Sequence, residues 1–402
     1  MIKTVKVLLK RNYSFLILGL ASVSFLFLNL FLKDILNDSE YGMFSIIITC
    51  ISILFSVGLL GFDQVFVRTA VINEKKIMID SRLINISVCI MIISILLFCF
   101  IYYKYYDFGV NNYFLSLSII SIILLRLSYQ LLRTLSLFVL SQLTLNFWKI
   151  VLPFILLISF LLDMDISLRE ICFYIFFLIF FSLISYLFIF SKINLVRLEY
   201  STIDLLKLGL GFFVITASVT LLGFLERFII ERKFGIAVFG NYFFYLNIYL
   251  YPFLIFSNYI GFKKIVEFKK SFSNVILRNR IKEALNISAL LGTLYFLITI
   301  IIQYSGLYNF DIFLNLELIL MILLWGIVRI IASLISSAMG AIADKKDLMI
   351  INFFSIVQFL FIFFILIFLN SVIEIVLLFI FLWVLRYGLC YFLIIKKYSH
   401  LT

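Results

Sequence analysis

The chain is cut into apolar runs of membrane-crossing length by short polar segments, and that rhythm constrains the fold more than any motif. A helix needs about 20 apolar residues to cross a bilayer. The runs fall at 13–32, 43–62, 83–102, 113–132, 146–162, 171–190, 210–226, 241–261, 284–303, 316–338, 349–369 and 375–395. Between them lie segments such as KDILNDSEYG, YDFGVNN, DMDISLRE and ADKKD. The expectation is an all-α polytopic membrane protein of about twelve transmembrane helices. Composition agrees: 65% of residues are hydrophobic and 13% charged, against about 45–50% and ~25% in soluble domains. No polar segment exceeds about 20 residues, so no soluble catalytic domain is expected.

Residue usage excludes several chemistries. The only histidine is His400, so neither a histidine-built metal site nor a histidine-based triad is available. The cysteines Cys50, Cys89, Cys99, Cys172 and Cys390 sit in apolar runs without C-x-x-C spacing, as small apolar side chains do. There is no G-x-x-x-x-G-K-[ST] phosphate loop. No cofactor is expected, and chemistry, if any, has to lie within the helices.

Charge sets an expected orientation. With the N-terminus inside, Lys and Arg favour the cytoplasmic segments by roughly four to one, which predicts cytoplasmic termini. Lys3, Lys6, Lys10 and Arg11 precede the first run. That run is too long for a secretory leader and lacks a small-residue cleavage site, so it reads as an uncleaved helix. The basic loop Lys263, Lys264, Lys269, Lys270, Arg278, Arg280 and Lys282 is read as a topology anchor facing anionic lipid, not a nucleic-acid surface.

The halves echo one another. The polar segment Ser191–Gly209 leaves six runs on either side, predicting lobes over 1–200 and 201–402. SEYGMFSIIITCISILFSVGLLGF follows the first run and AVFGNYFFYLNIYLYPFLIFSNYIGF the seventh. Each has a glycine before an aromatic-rich span that ends in Gly-Phe. Spans four (SIILLRLSYQLL, 121–132) and ten (WGIVRIIASLISS) each carry one arginine in the half expected to face the cytoplasm. Even span numbers per half make such repeats parallel.

Four segments carry a family resemblance: FLKDILNDSEYGMFSI (31–46), LLGFDQVFVR (59–68), TIDLLKLGLGFFVITASVTLLGFLERFII (202–230) and FGIAVFGNYFFYLNIYLYP (234–252). Their order resembles the polysaccharide branch of the multidrug/oligosaccharidyl-lipid/polysaccharide exporter superfamily, the Wzx-type flippases of lipid-linked O-antigen or capsule units. Lys33 stands where that family usually has arginine, and Gly211 where it often has proline. The resemblance implies two six-helix lobes in a V around a cavity that faces each side in turn. It implies a non-enzymatic inner-membrane transporter for surface-polysaccharide biosynthesis. Its substrate would be an undecaprenyl-diphosphate-linked oligosaccharide, and polymerase machinery would be a further partner.

Polar residues within the spans supply the candidate site. A central arginine costs at least about 2.5–3.5 kcal/mol on insertion scales, so it should meet a cavity or a partner. In span four, Arg126, Tyr129, Gln130 and Arg133 share one face at i, i+3, i+4, i+7. Span ten has Trp325, Gly326, Arg329, Ser333 and Ser336; span seven has Thr216, Thr220, Gly223 and Arg227; span twelve has Arg386 beside Trp383 and Tyr387. Arg126, Arg329 and Arg386, with Tyr129, Arg133 and Arg227, are the candidate substrate-binding set for an anionic headgroup. The same arginines also suit inter-helix ion pairs or snorkelling, above all Arg133 and Arg227. Glu226 is the candidate for H⁺ or Na⁺ coupling, or else the partner of an arginine; Asp63, near Arg68, is read as shaping a turn. Pro153 and Pro252 are candidate kinks. Tyr242, Tyr245 and Tyr249 share a face that suits sugar stacking or an interfacial belt. Two other functions remain open: a multidrug/cation antiporter, which expects a carboxylate-led cavity, and a membrane glycan polymerase or glycosyltransferase, which expects a long external loop.

Overall fold

A computed structural model describes residues 2–73, 76–106, 112–164, 166–184, 189, 191–197, 200–270 and 272–398. Its helices are α1 (Ile2–Ile35), α2 (Asp38–Val57), α3 (Phe62–Thr69), α4 (Ser81–Tyr105), α5 (Asn112–Thr134), α6 (Phe138–Leu161), α7 (Leu168–Ser182), α8 (Thr202–Phe234), α9 (Ile236–Lys270), α10 (Asn274–Tyr304), α11 (Leu316–Ile342), α12 (Lys345–Ile365) and α13 (Val372–Tyr398). Among the described residues, eleven helical stretches are long and apolar enough to cross a membrane, and they follow the expected order of runs. The sixth run is the exception: α7 ends at Ser182, and 185–188 and 190 lie outside the described residues. The protein is an all-α polytopic membrane protein.

Polar residues between the runs start helices. The side chain of Asn37 accepts the Glu40 N–H at 2.9 Å while Glu40 accepts from the Asn37 N–H, so α2 begins at Asp38. Ser167 with Glu170 and Asp344 with Asp347 form the same reciprocal box ahead of α7 and α12. Each satisfies amide groups that an uncapped helix end leaves without partners.

The chain forms two compact units, Met1–Phe224 and Leu225–Thr402, so α8 contributes to both. In unit 1, α5 packs against α2, α3, α4, α6 and α7, while α1 runs along α6. Phe25 meets Trp148 edge-on at 6.0 Å across the α1–α6 contact. In unit 2, α11 packs against α9, α10 and α13. The α9–α11 approach is close at Gly326, where an added Cβ would come within 2.4 Å of Phe253 Cγ. Four pairings recur in the two units, while the α1–α6 and α5–α6 packing of unit 1 has no counterpart of like extent in unit 2 among the described residues. α2–α5 corresponds to α9–α11, α4–α5 to α10–α11, α5–α7 to α11–α13, and α6–α7 to α12–α13.

Two segments expected as loops are extended. β1 (Val71–Asn73) pairs antiparallel with β2 (Lys76–Asp80), and β2 pairs parallel with β3 (Ile193–Val196). Ile77 and Ile79 are buried on alternate positions of β2, the period expected of a strand with one covered face. Pro153 and Pro252 both lie inside unbroken helices.

Candidate functional site

In unit 1 the arginine stripe of α5 meets a carboxylate. The chain leaves α2 through Gly61 at φ +80°, where an added Cβ would fall 2.5 Å from the Phe213 amide nitrogen. Only glycine suits both that backbone and that approach. The turn delivers Asp63, 1% exposed, to the face of α5. Asp63 Oδ2 accepts from Arg126 Nε at 2.8 Å, Gln64 Nε2 at 3.1 Å and Gln130 Nε2 at 3.2 Å. Arg126 also lies 5.0 Å over the Phe55 ring. Arg133 donates to Gln130 Oε1 at 3.3 Å and lies 5.4 Å over Tyr129, whose ring meets Phe55 at 6.1 Å. The expected stripe is therefore real and wired together. Asp63 is its anchor, a role the sequence placed at a turn with Arg68; Arg68 lies over the Phe212 ring instead.

In unit 2 the arrangement is more cationic. Glu226 and Arg227 are neighbours on α8, with Arg227 Nε donating to Glu226 Oε1 at 3.3 Å. Arg227 also lies 5.3 Å over Phe243. Arg329, on α11, stacks 4.1 Å over Trp383 of α13 and is within electrostatic reach of Glu226, Arg227 and Tyr242. Among the described residues no carboxylate comes within ion-pair distance of it. Arg386, 3% exposed, donates to the Ser355 hydroxyl of α12 and likewise has no acidic partner there. Ser333 Oγ donates to the Ser257 carbonyl at 2.6 Å, tying α11 to α9.

The tyrosine face of α9 is packed inside unit 2. Tyr242, Tyr245 and Tyr249 are all buried. Tyr245 donates to the Phe310 carbonyl at 3.1 Å and accepts from Asn315 at 2.8 Å, and Tyr249 donates to Thr299 Oγ1 at 3.2 Å. Tyr245 and Tyr249 are thus bonded through their hydroxyls to neighbouring elements. Tyr242 differs, because its buried hydroxyl has no hydrogen-bond partner. It lines a cavity of about 360 Å³ with Asn241, Tyr245, Asn315, Glu317 and Ser371, where α9, α11 and α13 begin. No group of His, Cys, Asp or Glu among the described residues is arranged to hold a metal ion.

Sequence reasoning missed two features. One is the Asp63–Arg126 pairing, which joins residues far apart in the chain. The other is the polar stripe Asn352, Ser355 and Gln358 on α12, whose i, i+3, i+6 spacing was readable in an otherwise apolar run. Gln358 Nε2 donates to the Leu382 carbonyl of α13 at 2.8 Å, beside the Arg386 contact. No protein-family model, curated protein or solved structure matches the chain.

Proposed function

We propose that the protein is a flippase that moves polyprenyl-diphosphate-linked oligosaccharide units across the cytoplasmic membrane, with both termini in the cytoplasm, for surface-glycan assembly. One observation carries the reading: unit 2 holds an excess of positive charge within apolar spans. Arg227 and Arg329 lie about one buried carboxylate, Glu226, and buried Arg386 has no ion-pair partner among the described residues, whereas Arg126 in unit 1 is matched by Asp63. Charge of one sign inside a membrane protein marks a path or a partner of the other sign. A diphosphate supplies that partner, and guanidinium groups engage its oxygens with paired, charge-assisted hydrogen bonds.

The partners now held by these arginines suit exchange. Arg329 rests on an aromatic face and Arg386 on a hydroxyl. A diphosphate displaces such neutral groups more readily than it would the Asp63 carboxylate from Arg126. Arg126, Tyr129 and Arg133 are therefore left out of the proposed substrate set, which comprises Arg329 and Arg386 with Arg227 at its edge. As the pocket opens, the lipid tail stays in the bilayer while the headgroup crosses. The protein replaces the hydration whose loss is the barrier to unassisted flipping. No bond is made or broken in the substrate. A multidrug antiporter would call for an excess of carboxylates instead.

Arg329→Ala/Arg386→Ala should abolish surface glycan while the protein still inserts at normal levels. The Arg→Lys pair should restore part of it, because lysine keeps the charge and loses the planar fork. Wild-type glycan from the stably expressed double alanine variant would end this reading.

A further inference from the structure

Glu226 is 0% exposed, and only one of its oxygens is satisfied. Oε1 accepts from Arg227 at 3.3 Å, while Oε2 is buried with no hydrogen-bond partner. A buried carboxylate oxygen without a donor is costly. The Tyr242 hydroxyl on α9 is buried and unpartnered too, and it lies within electrostatic reach of Glu226. Tyr242 in turn lines the cavity of about 360 Å³, whose other polar walls include Asn241, Asn315, Glu317 and Ser371. A half-open space of that size with polar groups in its wall takes up water. The cavity, the orphaned hydroxyl and the orphaned carboxylate oxygen thus form a series running inward from the ends of α9, α11 and α13.

We propose that Glu226 is a proton-binding site, loaded from this cavity through the Tyr242 hydroxyl. Tyr242 and Glu226 are not hydrogen-bonded to each other, so transfer proceeds over a bridging water or after a side-chain rotation. The Tyr242 O–H bond breaks as its proton passes toward Glu226 Oε2, and a proton from cavity water re-forms it. Tyrosine ends as it began, and Glu226 gains one proton. The groups facing Glu226 are Arg227 on its own helix, Tyr242 on α9 and Arg329 on α11, with Tyr387 of α13 beyond Arg329. Two guanidinium groups oppose any cation here; a proton is favoured over a metal ion because it forms a covalent O–H bond at Oε2 and needs no shell of further ligands. Protonation removes the Glu226 charge beside Arg227 and Arg329, so the cluster gains one positive charge and holds an anion more tightly. Reciprocally, a bound anion favours the proton. This coupling rests on the flippase reading; the protonation itself does not. In the orientation proposed above the cavity opens outward, so the proton enters from outside.

The test is infrared difference spectroscopy on the full-length protein in lipid nanodiscs, titrated with pH and without saccharide. Wild type should show a buried carboxyl C=O band that grows on acidification and is missing in Glu226→Gln. Glu226→Asp should move the band rather than remove it, and it serves if the glutamine variant does not fold. Tyr242→Phe should keep the band but slow its rise several-fold after a pH jump. A band unaffected by both Glu226 substitutions, wild-type kinetics in Tyr242→Phe, or a band displaced by Na⁺ at constant pH would each overturn the proposal. None of these outcomes depends on flipping, so failure here leaves the glycan test of Arg329 and Arg386 standing, and the reverse holds.

Discussion

In unit 1 the arginine of the helix that packs against most others, Arg126 on α5, meets a carboxylate at 2.8 Å. In unit 2 the arginine of the corresponding helix, Arg329 on α11, meets the face of Trp383 at 4.1 Å. Three of the pairings around α5 recur around α11, yet one arginine is neutralised and the other is not. A matching carboxylate makes an arginine a strut: the pair is strong where water is scarce, and neither member is free for a ligand. An aromatic face supplies attraction without cancelling the charge. The same residue type at corresponding places thus does two jobs, and the partner decides which.

The sharpest way to break this contrast is Asp63→Ala. It strands Arg126 without its carboxylate, and loss of one member of a buried pair costs about 3–5 kcal/mol. Thermal unfolding in detergent should show the loss, and Asp63→Ala/Arg126→Ala should recover most of it. A double variant as unstable as the single one would mean that Asp63 acts through something other than Arg126.

The helix crossings offer a smaller test. Unit 2 brings α9 onto α11 at Gly326, with Phe253 inside the space a methyl group would take. Gly326→Ala should cost about 1–3 kcal/mol as an overpacking change. Phe253→Leu in the same chain should return part of it, read as melting temperature. No recovery would place the strain elsewhere.

The smallest effect lies at the rim of unit 2. The Asp344 carboxyl is pulled from its ordinary 3.8 to about 2, first by the Asp347 N–H and then by Lys397, whose Nζ lies 3.0 Å away. A depressed carboxyl contributes stability above its unfolded value and loses it as pH falls through its folded value. Lys397→Met should therefore melt slightly below wild type at neutral pH, with a gap that holds down to about pH 4 and closes toward pH 2. A gap that persists at pH 2, or none at pH 7, would remove Lys397 from this role.

The transmembrane helices were legible because membrane crossing writes itself as length and hydropathy, and eleven of the runs appear in their expected order. Helix starts at Asn37, Ser167 and Asp344 were legible in principle, since each carries an acid three residues on. β2 and β3 were not, because strands of 5 and 4 residues between apolar helices carry too little alternation to stand out. The site was half legible. Positions of Arg126, Arg329 and Arg386 are plain in any apolar run, but their partners are set by which helix faces meet. Asp63 reaches Arg126 only because a left-handed glycine turns the chain after α2.

The parallel ladder between β2 and β3 has a consequence for how the molecule is made. Among the described residues the helices α4 to α7 separate the two strands in the chain, and a non-local pairing of this kind waits for everything between its ends. During synthesis the β1–β2 hairpin can close as soon as Asp80 has been made, and it then presents an open edge. That edge stays open until Val196 emerges, by which time the first half of the protein has been laid into the bilayer. The small sheet is thus a completion mark for unit 1: a nascent chain halted before Ile193 carries the hairpin unsealed, and one that has passed Val196 can close it.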